Sequence, residues 1–119
     1  MISHYLKTSN YGFTIPNGSV INGILAQVDQ SRITTSAVTE YAVKIIKSNG
    51  TIGTTNKSTG ATLSSTDTYV TYGGSTDKWG ETWTATDINS ANFGLVFATN
   101  GTGLPRVDHV RIKVFYTAP

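Results

Sequence analysis

Apolar and polar positions alternate along most of this chain, the period-2 signature of half-buried strands. Tyr11, Phe13 and Ile15 alternate with Gly12 and Thr14, which predicts a strand ended by Pro16-Asn17-Gly18-Ser19. A second strand is expected from about Val20 to Asp29, with Ile24, Ala26 and Val28 on one face and Gln27 and Asp29 on the other. Gln30 to Ser36 is polar and reads as a loop. Val38 to Lys47 is a strand again, with Tyr41, Val43 and Ile45 inward and Lys44 outward, Ile46 sharing the face of Lys44. Ser48-Asn49-Gly50 divides that run from Thr51-Ile52, and Asn-Gly between apolar runs marks a hairpin because both residues tolerate positive φ. Thr54 to Thr68 holds one Leu in a stretch dominated by Thr, Ser, Asn, Lys and Gly. It reads as a long surface connection with at most a short edge strand, of a length that also suits a binding loop.

The second half centres on Tyr69 to Trp83, which carries both tryptophans, two tyrosines and three glycines. Large rings among glycines mark backbone that packs tightly while turning sharply. Tyr69 to Tyr72 predicts a short strand, turned by Gly73-Gly74-Ser75. Thr84 or Thr86 can cap one short helical turn near residues 85–91, with Asp87 favoured in the first turn by the helix dipole. Phe93 to Ala98 predicts a strand with Phe93, Leu95 and Phe97 on one face, followed by a turn at Asn100-Gly101-Thr102-Gly103. Val107 to Tyr116 has the cleanest alternation: Val110, Ile112, Val114 and Tyr116 against His109, Arg111, Lys113 and Phe115. About seven or eight strands with almost no helix predict an all-β fold, a single antiparallel β-sandwich over residues 1–119. A jelly roll is the preferred topology, with an immunoglobulin-like sandwich as the other arrangement that fits the pattern.

Composition narrows the chemistry. The chain has no cysteine, which removes disulfides and thiolate chemistry. Charged residues are only 13% of the total, while 20 Thr and 11 Ser supply the polar surface, and an excess of Thr suits strands. The net charge of +2 comes from scattered basic residues, so no nucleic-acid partner is expected. No apolar run is long enough for a membrane span, and the N-terminus lacks the pattern of a signal peptide. His4 lies by the terminus; His109 and Asp108 are strand neighbours that point to opposite faces, so they form no preformed dyad. No nucleophile motif surrounds any serine, and Asp67, Asp77, Glu81 and Asp87 cannot be paired for glycoside hydrolysis from sequence. The expectation is a protein without catalytic residues, cofactor or metal. Asp67, Asp77 and Asp87, in or beside carbonyl-rich loops, are the candidates for a structural calcium. The candidate interaction surface comprises Tyr69, Tyr72, Asp77, Trp79 and Phe115. Flat rings with Asp77 and Asn89 nearby suit a stacked sugar, whereas the bland alternative buries Trp79 and Trp83 in the core and the end of the sandwich. Phe115, apolar on a polar strand face, suits a contact with another chain.

The runs Tyr5-Leu6-Lys7, Tyr11-Gly12-Phe13-Thr14-Ile15-Pro16, Gly18-Ser19-Val20-Ile21-Asn22-Gly23-Ile24, Tyr69-Val70-Thr71-Tyr72-Gly73-Gly74 and Val107-Asp108-His109-Val110-Arg111-Ile112 stand in a familiar order. Between the last two come Trp79-Gly80, Trp83-Thr84, Asp87-Ile88-Asn89 and Asn92-Phe93-Gly94, the most specific part. Together they resemble a β-sandwich domain of phage virion proteins and of bacterial and phage surface proteins. The resemblance spans nearly the whole chain, and its motifs are structural rather than catalytic. It implies a virion structural protein on the particle surface, made in the host cytoplasm: a capsid decoration or head-associated protein. Its implied partners are the major capsid protein, other virion proteins or further copies of itself. The other implied role is a glycan- or receptor-binding module of a tail fibre or cell-surface protein. Such domains commonly carry a strand upstream of the Tyr-Leu-Lys run. A minimal version, or a sheet completed by a neighbouring chain, is therefore expected.

Overall fold

The computed structural model describes residues 6–119; Tyr5, His4 and the residues before them lie outside the described part. Six strands and one short helix follow in chain order: β1 (Leu6–Thr8), β2 (Val20–Arg32), β3 (Val38–Ile46), β4 (Thr68–Gly73), α1 (Ala85–Asn89), β5 (Gly94–Gly101) and β6 (Pro105–Thr117). The odd strands form one antiparallel sheet in the order β1-β5-β3, the even strands the other in the order β4-β2-β6. The chain thus changes sheet at every connection. The architecture is the expected antiparallel β-sandwich, with six strands among the described residues against the ~8 of a full jelly roll.

The core lies between the sheets. Ile24, Ala26 and Val28 of β2 meet Val43 and Ile45 of β3 and Leu95 and Phe97 of β5, all buried. Val110, Ile112 and Val114 of β6 pack against them from the edge of the even sheet. These are the faces that the alternation predicts. β5 is the middle strand of its sheet and is buried on both faces from Gly94 to Thr99.

Four expectations are corrected. The Tyr11–Ile15 run forms no strand: Asn10 and Gly12 take positive φ (60° and 75°), which breaks the extended path. The Asn89 side chain satisfies the Ile15 backbone in place of a neighbouring strand, accepting from its N–H at 2.8 Å and donating to its carbonyl at 2.9 Å. Gln30 to Arg32 continues β2 rather than looping, pairing with Val107, Arg106 and Pro105. Tyr41 faces solvent, because a register shift between Glu40 and Ala42 turns it out and puts Glu40 inside. Tyr116 is exposed as well, at the end of β6.

The Thr54–Thr68 connection seals an edge. The segment from Gly53 to Leu63 runs along β3. Gly53, Lys57 and Leu63 donate backbone N–H groups to the carbonyls of Ile45, Val43 and Val38, and Glu40 donates to Ala61. The Asn56 amide reaches across, accepting from Val43 N–H at 2.9 Å and donating to the Tyr41 carbonyl at 3.0 Å. Leu63 is buried. Such an edge offers no free ladder to another chain. The Asn49-Gly50 turn forms as expected, with Gly50 at φ 86° and Ile46 bridged to Ile52.

β4 stops at Gly73, and the following loop takes over its place beside β2. Gly74 N–H donates to the Ile24 carbonyl at 3.1 Å, Ile24 N–H donates to the Asp77 carbonyl at 2.8 Å, and the Trp79 indole Nε1 donates to the same Ile24 carbonyl at 2.8 Å. Trp79 itself has φ 57°, a left-handed conformation rare for a bulky residue. Burial and a 2.9 Å bond from its N–H to Asp77 Oδ1 hold it there. Gly73 has φ 79°, and a Cβ placed on it would lie 2.6 Å from Trp79 Nε1 and against the Ile24 carbonyl. The Gly73→Ala variant should therefore lose about 3 kcal/mol or more of stability, read as a fall in denaturant midpoint at unchanged slope. Survival at wild-type stability would show that the loop has another path past β2.

Candidate functional site

The proposed cluster of Tyr69, Tyr72, Asp77, Trp79 and Phe115 does not converge on one surface. Trp79 is 1% exposed and Tyr72 4%, so neither ring is open to stacking. The reason is local: the Trp79 indole is the plug that ends β4, and Tyr72 points between the sheets. Its hydroxyl donates to Glu40 Oε2 at 2.6 Å and accepts from Gln30 Nε2 at 2.8 Å. Glu40 Oε1 accepts from Thr59 N–H at 3.0 Å. The three side chains tie β3 of one sheet to β2 and β4 of the other. Burial, and the neighbouring Glu40 carboxylate, push the Tyr72 hydroxyl far above its ordinary range. The Tyr72→Phe change leaves Glu40 inside with one donor fewer, which should cost about 1–3 kcal/mol. Adding Glu40→Gln should recover part of that in denaturant unfolding, and full additivity would count against the tie.

Asp77 lies half-buried beneath Lys57, at 2.5 Å from its Nζ. Burial alone would raise its carboxyl, but the Lys57 ammonium and the Trp79 N–H outweigh it and hold the group below the usual carboxylate range. A depressed folded-state value contributes stability above the unfolded value of 3.8, lost as pH falls through the lower folded one. Thermal melts should therefore drop as pH falls from about 4, and drop less steeply in Asp77→Asn. An unchanged slope in that variant would place the acid sensitivity elsewhere.

Tyr69 and Phe115 do sit on the outer face of the even sheet, separated along β6 by about 20 Å of strand. Tyr69 stacks under Arg111, whose guanidinium carbon is 3.9 Å from the ring centroid, and meets His109 edge-on at 6.4 Å. Arg111 Nε also donates to Gln27 Oε1 at 2.6 Å. Phe115 is half-buried with the Lys113 ammonium 5.0 Å from its centroid. Nothing joins His109 to Asp108 by a hydrogen bond among the described residues.

The three candidate calcium ligands are dispersed. Asp77 pairs with Lys57, and Asp87 caps α1 by accepting from Thr84 N–H at 2.9 Å while Thr84 Oγ1 accepts from Asp87 N–H. Asp67 joins instead Asp29 and Asp108, with carboxylate oxygens mutually within 4.8 Å. Oxygen donors so placed could hold a hard cation, yet Arg106 already supplies positive charge, 3.2 Å from Asp67 and 3.4 Å from Asp108. A hydrogen bond from the Ser31 side chain helps hold Asp67 low, while the adjacent Asp67 carboxyl pushes Asp108 up.

The one indole with solvent access is Trp83. Its ring is half-buried against Phe93, edge-to-face at 5.5 Å, and its Nε1 donates to the Lys78 carbonyl at 2.9 Å. It stands between two clefts at one end of the sandwich. The larger, about 370 Å³, is lined by Asn17, Ser19, Val20, Lys78 and Thr82 among others. The smaller, about 180 Å³, is bordered by Lys47, Asn49, Glu81 and Asp87. Both tryptophans lie in one aromatic- and glycine-rich stretch, but Trp79 has a positive φ and gives its indole N–H to the Ile24 carbonyl, features no periodicity announces.

Comparison with known proteins finds no matching family model, no matching curated protein and no matching solved structure. Among the described residues no helix is long and apolar enough to cross a membrane.

Proposed function

We propose that this protein is a non-enzymatic structural component of a bacteriophage particle, a capsid decoration or head-associated protein that binds and stabilises the assembled shell. The observation that carries the reading is the edge of β6. Among the described residues, β3 is sealed by its own loop, β1 spans 3 residues and β4 spans 6. β6 runs for 13 residues and pairs only with β2 among the described residues, leaving its other edge of N–H and C=O groups open. Apolar side chains stand exposed at both ends of the β2–β6 ladder, Val20 and Tyr116 at one and Ile33 and Leu104 at the other. A long open edge with apolar ends suits strand addition to another chain. The phage context rests on the sequence resemblance. The partner is a capsid subunit or a further copy of the protein, and binding to the assembled form alone stabilises it by mass action.

Purified protein mixed with phage shells lacking it should co-sediment saturably and raise the melting temperature of the particles. The double variant Val20→Glu/Tyr116→Glu, folded by circular dichroism, should bind at least about tenfold more weakly, the equivalent of 1.4 kcal/mol. Absence of co-sedimentation by the wild type would overturn the reading.

A further inference from the structure

We infer that the cleft beside Trp83 is a carbohydrate-binding site, an inference carried by Trp83, Asn17, Lys78 and Thr82 rather than by the open edge of β6, although Val20 borders both. Trp83 is fixed before any ligand arrives: its N–H is consumed by the Lys78 carbonyl and its ring rests on Phe93. The indole therefore offers no donor, only an apolar surface held at one angle. A platform already immobilised spares the ligand the cost of ordering a side chain.

Exposed polar groups line the same cleft. Ser19 is spent on the Pro16 carbonyl and Thr84 on capping α1. The Asn17 amide, the Lys78 ammonium and the Thr82 hydroxyl line the same cleft and have no hydrogen-bond or ion-pair partner within the described chain. Together they supply donors and acceptors to the cleft that the indole lines. A pyranose ring has the matching chemistry, an apolar C–H face for the indole and a rim of hydroxyls for an amide, an ammonium and a hydroxyl. The cleft volume of about 370 Å³ falls at the small end of ligand sites, which suits one or two sugar units. A purely apolar ligand would make no use of the three polar groups, which stay exposed to water. A polyanion would find a single lysine.

The test uses the full chain on an array of neutral and acidic mono- to tetrasaccharides, followed by titration of the strongest hit with the two indole N–H signals observed by NMR. The expected result is a shift of the Trp83 signal, the buried Trp79 signal staying in place. Affinity should fall about tenfold or more in Trp83→Ala, and fall in Asn17→Ala and Lys78→Ala. It should be unchanged in Tyr69→Ala, which lies on the outer sheet face. If Trp83→Ala does not fold, the exposed pair Asn17→Ala and Lys78→Ala decides: full affinity in both overturns the site, as does the absence of any array ligand or equal loss in Tyr69→Ala.

Discussion

The carbonyl of Ile24 accepts two hydrogen bonds, from the Gly74 backbone and the Trp79 indole, and much of the even sheet depends on that point. β2 is the central strand, so each of its backbone groups needs a partner on both sides or a substitute. β6 runs its whole length; β4 does not. Where β4 ends, the 74–79 loop must bring a donor and an acceptor to Ile24 without a strand to carry them. Gly73 turns the chain, Asp77 fixes the loop, and the indole closes it. Gly23 belongs to the same construction, since a side chain there would collide with Gly74 and Ser75. A left-handed tryptophan is strained by itself and persists because everything around it over-determines its position.

The second tie between the sheets is polar. Glu40, Tyr72 and Gln30 place hydrogen bonds where a sandwich of this size would ordinarily hold aliphatic carbon. Apolar contacts tolerate a slip of one strand against another, whereas hydrogen bonds of fixed length and direction do not. The bulge that expels Tyr41 is the backbone adjustment that brings Glu40 inward.

The strands with strong alternation were legible from residue types alone: β6, most of β2 and the inner face of β5. So were the Asn49-Gly50 turn and the short helix with a threonine cap, left open between Thr84 and Thr86 and taken by Thr84, because each rests on chemistry local to a few residues. The misses share a cause. Tyr11 to Ile15 alternates like a strand, but its pairing partner is a side chain 74 positions away, Asn89. Gln30 and Ser31 look like loop residues because their burial depends on Tyr72 and on β6. Tyr41 follows a bulge that is visible only in the register. The candidate surface was not legible as a unit: Tyr72 and Trp79 are buried by a polar tie between the sheets and by the hydrogen bond that ends β4, both of which depend on residues distant in the chain.

Because the odd strands build one sheet and the even strands the other, no strand pairs with the one before it in the chain. β2 waits for β6, and β3 waits for β5. During synthesis, the first half of the chain would leave the ribosome with apolar faces formed in principle but without either sheet assembled. Closure of such long loops costs entropy before the strand pairings offset it, which slows folding. The cost of this strand order is therefore borne before the fold exists, when the apolar faces of β2 and β3 are made but the strands that cover them are not.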